Sequence, residues 1–240
     1  MSVRDAIATP AGKRQYVRAL FATVADRYDL MTRLLSYGQD RRWKRRLAAM
    51  ASPGPRLRAL DLATGTGDIA FALAGCGAAV VGLDITPRMV ELARAKAARP
   101  SSRPRRPPRF LVGDMLALPF PARSFDLVTT GYGLRNAADL PCAVDEIRRV
   151  LRPGGRLLSL DFNRPSNPIL RSAWLTYLSI AGGIAGWVLH RDPDTYRYIP
   201  ASIRAYPGAD GVARLMRARG FTRIACHRVL GGLMAIHDAA

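Results

Sequence analysis

From Arg58 onward the chain alternates short apolar runs with stretches of helical pattern. The apolar runs are the candidate strands, at residues 58–62, 79–84, 109–113, 125–130 and 156–161. Each is almost continuously apolar, which is typical of strands in a sheet that is covered on both faces. Strands that alternate with helices pair in parallel through right-handed crossovers. The alternation therefore predicts an α/β fold of the Rossmann-like, doubly wound kind.

Two final apolar runs, TRIACHRV and LMAIHD, follow the helical stretch GVARLMRARG and stand too close together for a crossover helix. We expect them to form an antiparallel hairpin at one edge, which completes a mostly parallel, seven-stranded sheet. Residues 163–205 interrupt the alternation and predict an inserted cap. Its uncharged run, Ala173–Leu189, has 17 residues. A membrane span needs about 20, so a buried or interfacial helix is predicted.

The first 55 residues have a helical pattern throughout. Apolar side chains recur there at helical spacing, at Val17, Leu20, Phe21, Val24 and Tyr28. The segment Ser52–Pro55 then breaks the chain. We therefore expect an N-terminal helical segment, residues 1–55, that closes over a ligand site in the domain formed by residues 56–240.

The formal net charge is +19, and arginine dominates it, with 34 arginines against three lysines, Lys13, Lys44 and Lys96. Such a field attracts nucleic acid, an anionic membrane or an acidic substrate. Of the two dense basic stretches, Arg41–Arg46 contains one aromatic residue, Trp43, and Arg103–Arg109 contains none, so neither has the interleaved aromatic residues suited to base stacking. Arginine in place of lysine, with abundant Ala, Gly and Pro, is also typical of a GC-rich genome. No nucleic-acid partner is expected.

Cysteine and histidine positions limit the chemistry further. The three cysteines, Cys76, Cys142 and Cys226, are scattered and form no CxxC pair, and the first residues contain no apolar signal segment. Both features predict a protein of the reducing cytoplasm. The histidines, His190, His227 and His237, lack the spacing of metal ligands, and no metal is expected.

The turn Asp61-Leu-Ala-Thr-Gly-Thr-Gly-Asp68 is the most informative segment. It follows a predicted strand and opens a helix, at the sheet edge where open α/β folds bind ligands. Gly65 and Gly67 allow positive φ and a close approach of ligand to backbone. Asp84 ends the next strand, where its carboxylate can accept both hydroxyls of a ribose. These residues predict a cofactor that contains a nucleoside.

This pattern alone does not separate a nicotinamide dinucleotide from S-adenosylmethionine. Ala70 stands where dinucleotide sites prefer a third glycine. Asp61 would repel a pyrophosphate but would attract the ammonium group of a methionine moiety. Asp114 and Met115, at the end of the third strand, offer a polar group and an apolar side chain to an adenine. S-adenosylmethionine is therefore favoured.

Longer segments carry a family resemblance that extends from about Val17 to His237. They are FATVADRYDLMTRLLSYGQDRRWKR, LDLATGTGD, GDMLALPFPARSFDLVTTGYGLRN, RVLRPGGRLLSLDF and DTYRYIPASI. In order and spacing they resemble the ubiquinone/menaquinone biosynthesis C-methyltransferases, which are class I S-adenosylmethionine-dependent enzymes. The first segment, GLRN and YRYIPASI are specific to that family. The chain departs from it at Thr32, Asp40 and Thr64, where the family usually has Asn, His and Gly, and at Asp238.

The resemblance implies methylation of a ring carbon of a polyprenyl quinol, either demethylmenaquinol or a benzoquinol of the ubiquinol pathway. Together with the turn, it gives the expected cofactor-binding residues: Asp61, Gly65, Thr66, Gly67, Asp84, Ile85, Asp114, Met115 and Gly131. Arg135 and Asn136 are the expected catalytic residues, since Arg135 can stabilise a developing phenolate and Asn136 can orient it or a water. The expected substrate-binding residues are Tyr28, Tyr132, Tyr196, Tyr198, Ile199 and Ile203.

Two other functions stay open at this point. A small-molecule O- or N-methyltransferase of secondary metabolism would have the same fold, and Thr32 and Asp40 favour it. An RNA-binding or RNA-modifying protein is supported only by the charge. The uncharged run Ala173–Leu189 and the basic stretch Arg41–Arg46 predict peripheral contact with an anionic membrane. A homodimer is compatible with the sequence.

Overall fold

The computed structural model describes residues 3–36, 38–52, 54–99, 104 and 106–240. Within them a single sheet of seven strands carries helices on both faces. Part of the basic stretch Arg103–Arg109 lies outside the described residues.

The strands confirm the predicted sheet. They are β1 (Arg58–Leu62), β2 (Ala79–Asp84), β3 (Arg109–Val112), β4 (Phe125–Gly131), β5 (Leu151–Phe162), β6 (Ile224–Val229) and β7 (Met234–Ala239). Their order across the sheet is β3-β2-β1-β4-β5-β7-β6. The first five pair in parallel, and β7 is antiparallel to both β5 and β6. β5 begins earlier than predicted because a register shift between Phe125 and Leu127 accommodates its additional residues against β4.

The helices between the strands supply the crossovers. The described helices are α1 (Val3–Ala6), α2 (Pro10–Val24), α3 (Tyr28–Leu35), α4 (Asp40–Met50), α5 (Asp68–Gly75), α6 (Pro87–Ala98), α7 (Leu140–Val150), α8 (Pro168–His190), α9 (Tyr198–Ala205) and α10 (Gly208–Ala218). A 3₁₀ turn joins α2 to α3, and another, Leu134–Asn136, follows β4.

The core forms two layers because successive strand side chains point to opposite faces of the sheet. Leu60 of β1 packs on one face against Val144 and Ile147 of α7. On the other face, Ala59 belongs to the layer that includes Leu47 of α4 and residues of α5 and α6. Burial on both faces explains the continuous apolar runs of the sequence.

The long helix α8 crosses the carboxyl edge of the sheet. It has 23 residues, more than the uncharged run, because the side chain of Asn167 caps it and Pro168 begins it. One face is buried, with Gly182 and Gly186 lying against the segment that follows the helix; a Cβ at Gly186 would approach the carbonyl oxygen of Asp192 to 2.5 Å. By length and composition α8 could also cross a membrane, and 28% of its most apolar window is buried inside the protein.

The N-terminal segment packs on this cap. Val24 and Met31, from the first helices, form one apolar cluster with Leu189 and Tyr196 of the cap. Two parts of the chain that are distant in sequence thus meet above the sheet, over the ends of its parallel strands.

Replacement of Leu60 by alanine tests the two-layer core. Leu60 is fully buried, and we expect Leu60→Ala to lower the free energy of unfolding by about 2–5 kcal/mol, since it leaves a cavity. Leu34→Ala is the matched control: Leu34 is 53% exposed, and a change within about 0.5 kcal/mol is expected. Urea unfolding followed by circular dichroism measures both. Equal losses would contradict the assignment of Leu60 to the core.

Candidate active site

Adjoining cavities lie at the carboxyl edge of the parallel strands. The largest of the three adjoining cavities, called the largest cavity below, has a volume of about 470 Å³ and is enclosed by α2, α3, α4, α8, α9 and the residues that follow β4. A second cavity of about 70 Å³ lies beside Gly65 and Asp84, and a third of about 20 Å³ lies beside Asp61. The first two share a wall formed by Phe21, Tyr28, Tyr132 and Asn136. Tyr28 borders all three cavities. A separate cavity of about 530 Å³ lies beside Arg58 and Phe125, at the starts of β1 and β4.

Asp84 organises the second cavity. Its Oδ2 accepts a hydrogen bond from the N–H of Gly65 at 2.8 Å, and its Oδ1 accepts one from the N–H of Thr86 at 2.9 Å. Burial raises the pKa of Asp84, and these two hydrogen bonds oppose that rise. Ile85 and Met115 add apolar walls. The carboxylate and these walls therefore have the arrangement that an adenosine ligand requires.

Asp61 is a buried carboxylate whose direct partners are hydroxyl groups. It accepts hydrogen bonds from Thr64 Oγ1 at 2.6 Å and from Thr129 Oγ1 at 2.7 Å. Burial raises its pKa to about 6. Lys44 and Asp68 line the same cavity, and the ammonium of Lys44 favours the charged form of Asp61 without forming a salt bridge with it within the described ranges. Two carboxylates and one ammonium leave this cavity with a net negative charge, which favours a cationic ligand and disfavours a pyrophosphate.

Thr64, which departs from the family pattern, has a defined place in this arrangement. Its hydroxyl donates to Asp61, and Gly82 on the neighbouring strand provides the space for it. A Cβ at Gly82 would lie 2.8 Å from Thr64 Oγ1. The threonine therefore stabilises the carboxylate without entering the cavity beside Asp84.

The remaining predicted cofactor residues divide into two groups. Gly65 and Gly131 border both small cavities, and Thr66 borders the one beside Asp61. Gly67 and Asp114 line neither. Gly67, with φ of 90°, precedes α5, and a Cβ there would lie 2.8 Å from the Phe110 ring, so helix packing requires this glycine. Asp114 instead forms an ion pair with Arg14 of α2 at 2.8 Å.

Arg135 is held inside the protein. Its Nε lies 3.3 Å from Asp161 Oδ1, its guanidinium donates to Ser202, and it lies over the rings of Phe162 and Tyr198. It lines the largest cavity from this fixed position. The guanidinium is thus a buried cation at the cavity wall.

Asn136 lies at the boundary between the two larger cavities. Its Nδ2 donates to the carbonyl oxygen of Tyr132 at 2.8 Å, while its buried Oδ1 has no hydrogen-bond partner in the structure. Trp174 Nε1 and the Tyr198 hydroxyl are also buried and unpaired, and both residues line the largest cavity. These three unpaired polar atoms are buried within the wall of the largest cavity.

Five of the six predicted substrate residues border the largest cavity: Tyr28, Tyr132, Tyr196, Tyr198 and Ile199. Ile203 does not, because its side chain is fully buried behind the wall, against Leu175 and Leu178. Sequence reasoning missed Trp174, since an aromatic residue in an apolar run indicates only a buried helix.

All three lysines of the chain contact the site. Lys44 lies between Asp40 at 2.8 Å and Asp68 at 2.9 Å. Lys96 lies 2.5 Å from Asp29, whose other oxygen accepts from Thr66.

Lys13 donates to the carbonyl oxygen of Arg135, and burial and the charge of Arg135 lower its pKa to about 8. A lysine ammonium is more compact than a guanidinium. The chain has only three lysines against 34 arginines, and all three contact residues of the site. The positions of the rare lysines could therefore have indicated the site from the sequence.

Comparison with known proteins gives a family match over nearly the whole chain. Residues 10–240 match the ubiE/COQ5 methyltransferase family. The chain is 41% identical over 220 residues to the demethylmenaquinone methyltransferase of Thermus thermophilus, covering 91% of this chain and 98% of that one. It is 38% identical over 228 residues to the ubiquinone/menaquinone biosynthesis C-methyltransferase UbiE of Ectopseudomonas mendocina, covering 94% and 88%.

Solved structures show the same fold. An S-adenosylmethionine-dependent methyltransferase from Thermotoga maritima, described as a possible histamine N-methyltransferase, superposes with a TM-score of 0.66. The match covers 93% of this chain and 99% of that one at 17% identity. At this identity the likeness concerns the fold alone.

Replacement of Asp84 by asparagine tests the cofactor site. Asp84→Asn keeps the shape of the side chain but removes its charge, and we expect it to weaken S-adenosylmethionine binding about 10- to 100-fold, as for lost hydrogen bonds to a charged group. Asp126→Asn is the matched control, since Asp126 also accepts a backbone N–H, from Arg58, but lies at the opposite edge of the sheet. Isothermal titration calorimetry measures both dissociation constants. The same constant for Asp84→Asn and wild type would remove Asp84 from the site.

Proposed function

The chain belongs to the ubiE/COQ5 methyltransferase family and is an S-adenosylmethionine-dependent methyltransferase, and we propose that it methylates a ring carbon of a polyprenyl quinol. The candidate substrates are demethylmenaquinol and the benzoquinol of the ubiquinol pathway. The names of the relatives from T. thermophilus and E. mendocina support this reaction.

The largest cavity is the observation that carries the proposal. Its volume of about 470 Å³ is within the usual range for small-molecule sites, and its wall is mainly apolar. The unpaired polar atoms of Asn136, Trp174 and Tyr198 are buried in this wall and would bond to the ring oxygens once their side chains turn towards the ligand, while the apolar wall would accommodate a prenyl chain. A flat ring with two oxygens and an apolar tail matches this combination.

The groups around the two small cavities match the methyl donor. When bound, S-adenosylmethionine supplies a methyl group that is activated by its positive sulfonium. Asp61 would hold the ammonium group, and Asp84 would accept hydrogen bonds from the ribose. Ile85 and Met115 would contact the adenine. The net negative charge of the cavity beside Asp61 is the feature that best fits a cationic ligand.

The shared wall determines where the two ligands meet. Tyr28, Tyr132 and Asn136 border both the cofactor and substrate cavities, so these side chains can align the ring carbon with the methyl group. Methyl transfer requires the reacting atoms to approach to about 3–3.5 Å. Arg135, fixed at the wall by Asp161, would stabilise negative charge on a ring oxygen.

Exchange of Trp174 for phenylalanine tests the substrate cavity. The indole N–H has no partner in the protein, so Trp174→Phe should leave the fold intact and raise the KM for the quinol by about 3- to 10-fold, as for one lost hydrogen bond. Trp187→Phe is the matched control on the outer face of the same helix, where Trp187 is 66% exposed. Mass spectrometry of the methylated quinol measures the rates. Wild type that methylates neither candidate quinol would refute the proposed function.

Peripheral contact with an anionic membrane is the second part of the proposal. The outer face of α8 exposes large apolar side chains, at Ile169, Ile180, Ile184, Trp187 and Val188. Other residues of the same helix line the substrate cavity. The helix could therefore lie in the lipid interface and receive a membrane-borne substrate, and the net charge of +19 favours anionic lipid.

Vesicle binding tests this contact. The double variant Ile184→Ser/Trp187→Ser should lose most of the cosedimentation with anionic vesicles, because it removes apolar area from the outer face. Val112→Ser is the control, since Val112 is 49% exposed on β3, away from α8. Binding by the double variant equal to that of wild type, or no wild-type binding to either anionic or neutral vesicles, would refute the membrane contact.

Cytoplasmic location and a homodimer stay predictions. The three cysteines are free thiols in the structure, which supports a reducing compartment.

A further inference from the structure

We propose that Asp40 is the general base that accepts the proton of the quinol hydroxyl during ring methylation. This inference rests on the proposed function and assigns the proton transfer within the same site. It follows from which groups line the substrate cavity and from how Asp40 is held there.

Ring methylation needs a base because the neutral quinol ring is a weak carbon nucleophile. Loss of the hydroxyl proton spreads negative charge onto the adjacent ring carbon. A side chain that takes this proton in the transition state typically contributes about 10²–10⁴-fold to the rate. The base must therefore lie in the wall of the cavity that receives the ring.

Asp40 is the one carboxylate among the described residues that line this cavity, and no histidine accompanies it there. The tyrosines of the wall are poor bases. Burial raises the pKa values of Tyr28, Tyr196 and Tyr198 to about 12, and that of Tyr132 also lies well above its usual value, so all four stay protonated at neutral pH. A tyrosine can then donate a hydrogen bond but cannot accept a proton without losing its own.

Arg135 cannot act as the base. Its guanidinium stays charged and is paired with Asp161. Asn136 does not titrate. Elimination among the side chains of the wall therefore leaves Asp40.

The position of Asp40 fits this role. It is only 4% exposed, and its Oδ1 accepts a hydrogen bond from the Tyr132 hydroxyl at 2.9 Å. Tyr132 borders both the substrate and the cofactor cavities. The carboxylate is thus anchored beside the wall where the ring and the methyl donor meet.

Charged neighbours hold Asp40 in place without neutralising it fully. Lys44 of the same helix contacts Asp40 Oδ2 at 2.8 Å but also contacts Asp68 of α5 at 2.9 Å, so one ammonium serves two carboxylates. Tyr28 of α3 and Tyr132, which follows β4, are the other titratable groups that face Asp40. Lys44 and Tyr132 therefore fix the position of the carboxylate at the cavity wall.

Tyr132 is a positioning residue for Asp40. Its backbone has φ of 61°, which is rare for a residue with a side chain. This conformation is held by its N–H, which donates to the carbonyl oxygen of Leu160 at 2.7 Å, and by the bond that its carbonyl oxygen accepts from Asn136. The ring is therefore fixed, and its hydroxyl points to Asp40.

The protons and electrons of the reaction balance when water accepts one proton. Asp40 takes the hydroxyl proton while the adjacent ring carbon forms a bond to the methyl carbon. The bond between methyl and sulfur breaks, and its electron pair stays on sulfur. The ring carbon then releases its own hydrogen as a proton to water, and Asp40 returns its proton to the ring oxygen. One proton is released overall.

Two quinols of different acidity distinguish a base from a structural residue. With the ordinary quinol, Asp40→Asn should lower kcat by about 10²–10⁴-fold at neutral pH. With an analogue whose ring carries electron-withdrawing halogens, the hydroxyl is more acidic and gives up its proton more easily. The loss should then be clearly smaller, because the reaction depends less on the base. A structural defect would lower both rates equally, and equal losses would overturn the role of Asp40.

The pH profile gives a second readout. In Asp40→Asn, log kcat should rise with pH as the bound quinol ionises, because no side chain then takes its proton. Asp40→His should retain activity, since imidazole can take the proton in place of the carboxylate, and its kcat should fall at pH values below the ordinary histidine pKa of about 6.5. An Asp40→His profile that matches wild type at every pH would also overturn the assignment.

Controls separate this inference from the proposed function. Asp145→Asn changes an exposed aspartate paired with Arg219 and should leave both rates at the wild-type values. Thermal unfolding of Asp40→Asn checks the fold, which should persist because Lys44 keeps Asp68 as partner. If wild type methylates no quinol, the proposed function fails. If wild type is active and Asp40→Asn has the same kcat, only the role of Asp40 fails.

Discussion

The ammonium of Lys44, placed between Asp40 and Asp68, joins the two halves of the site. Asp40 begins α4 in the N-terminal segment, and Asp68 begins α5, directly after the glycine-rich turn. The wall of the substrate cavity is thereby fixed to the turn that shapes the cofactor cavities. The relative position of the two ligands therefore depends on this contact. Because Lys44 contacts both carboxylates, its charge stays compensated when one of them is neutralised.

A second connection runs parallel to the first. Asp29 of α3 accepts from Thr66 in the turn and pairs with Lys96 of α6. The N-terminal helices are thus joined to the αβ core at two points: Asp29 contacts Thr66 and Lys96, and Lys44 contacts Asp68. These helices and the cap complete a cavity that the sheet alone would leave open. The αβ core thus forms most of the wall of the two small cavities, and the added helices form most of the wall of the largest one.

Most of the fold was predictable because local sequence determines it. Continuous apolar runs and short connections specify the strands and the terminal hairpin, and both were confirmed. The turn from Asp61 to Asp68 could be read in the same way. Gly67 and Ile203 lie away from the cavities for a reason that local sequence does not contain: the Phe110 ring requires the glycine, and Leu175 and Leu178 bury the isoleucine. The contact between Asp114 and Arg14 likewise depends on where α2 packs.

The pairing of Asp40 with Tyr132 joins residues 92 positions apart, and no spacing rule indicates it. The amino-acid composition is more informative about the location of the site, because the three lysines of this arginine-rich chain all contact residues of the site. A residue type that persists against the composition of its chain is a useful indicator where its shape cannot be replaced.

The cavity beside Asp84 measures about 70 Å³, well below the roughly 300–1,000 Å³ of sites that enclose a small ligand. Tyr28 separates it from the space beside Asp61, and α2 covers it through the partly exposed pair of Arg14 and Asp114. Arg14, Val17 and Phe21 of α2 line this cavity together with Tyr28. The packing of α2 therefore limits the size of the ligand that the cavity beside Asp84 can hold in this conformation.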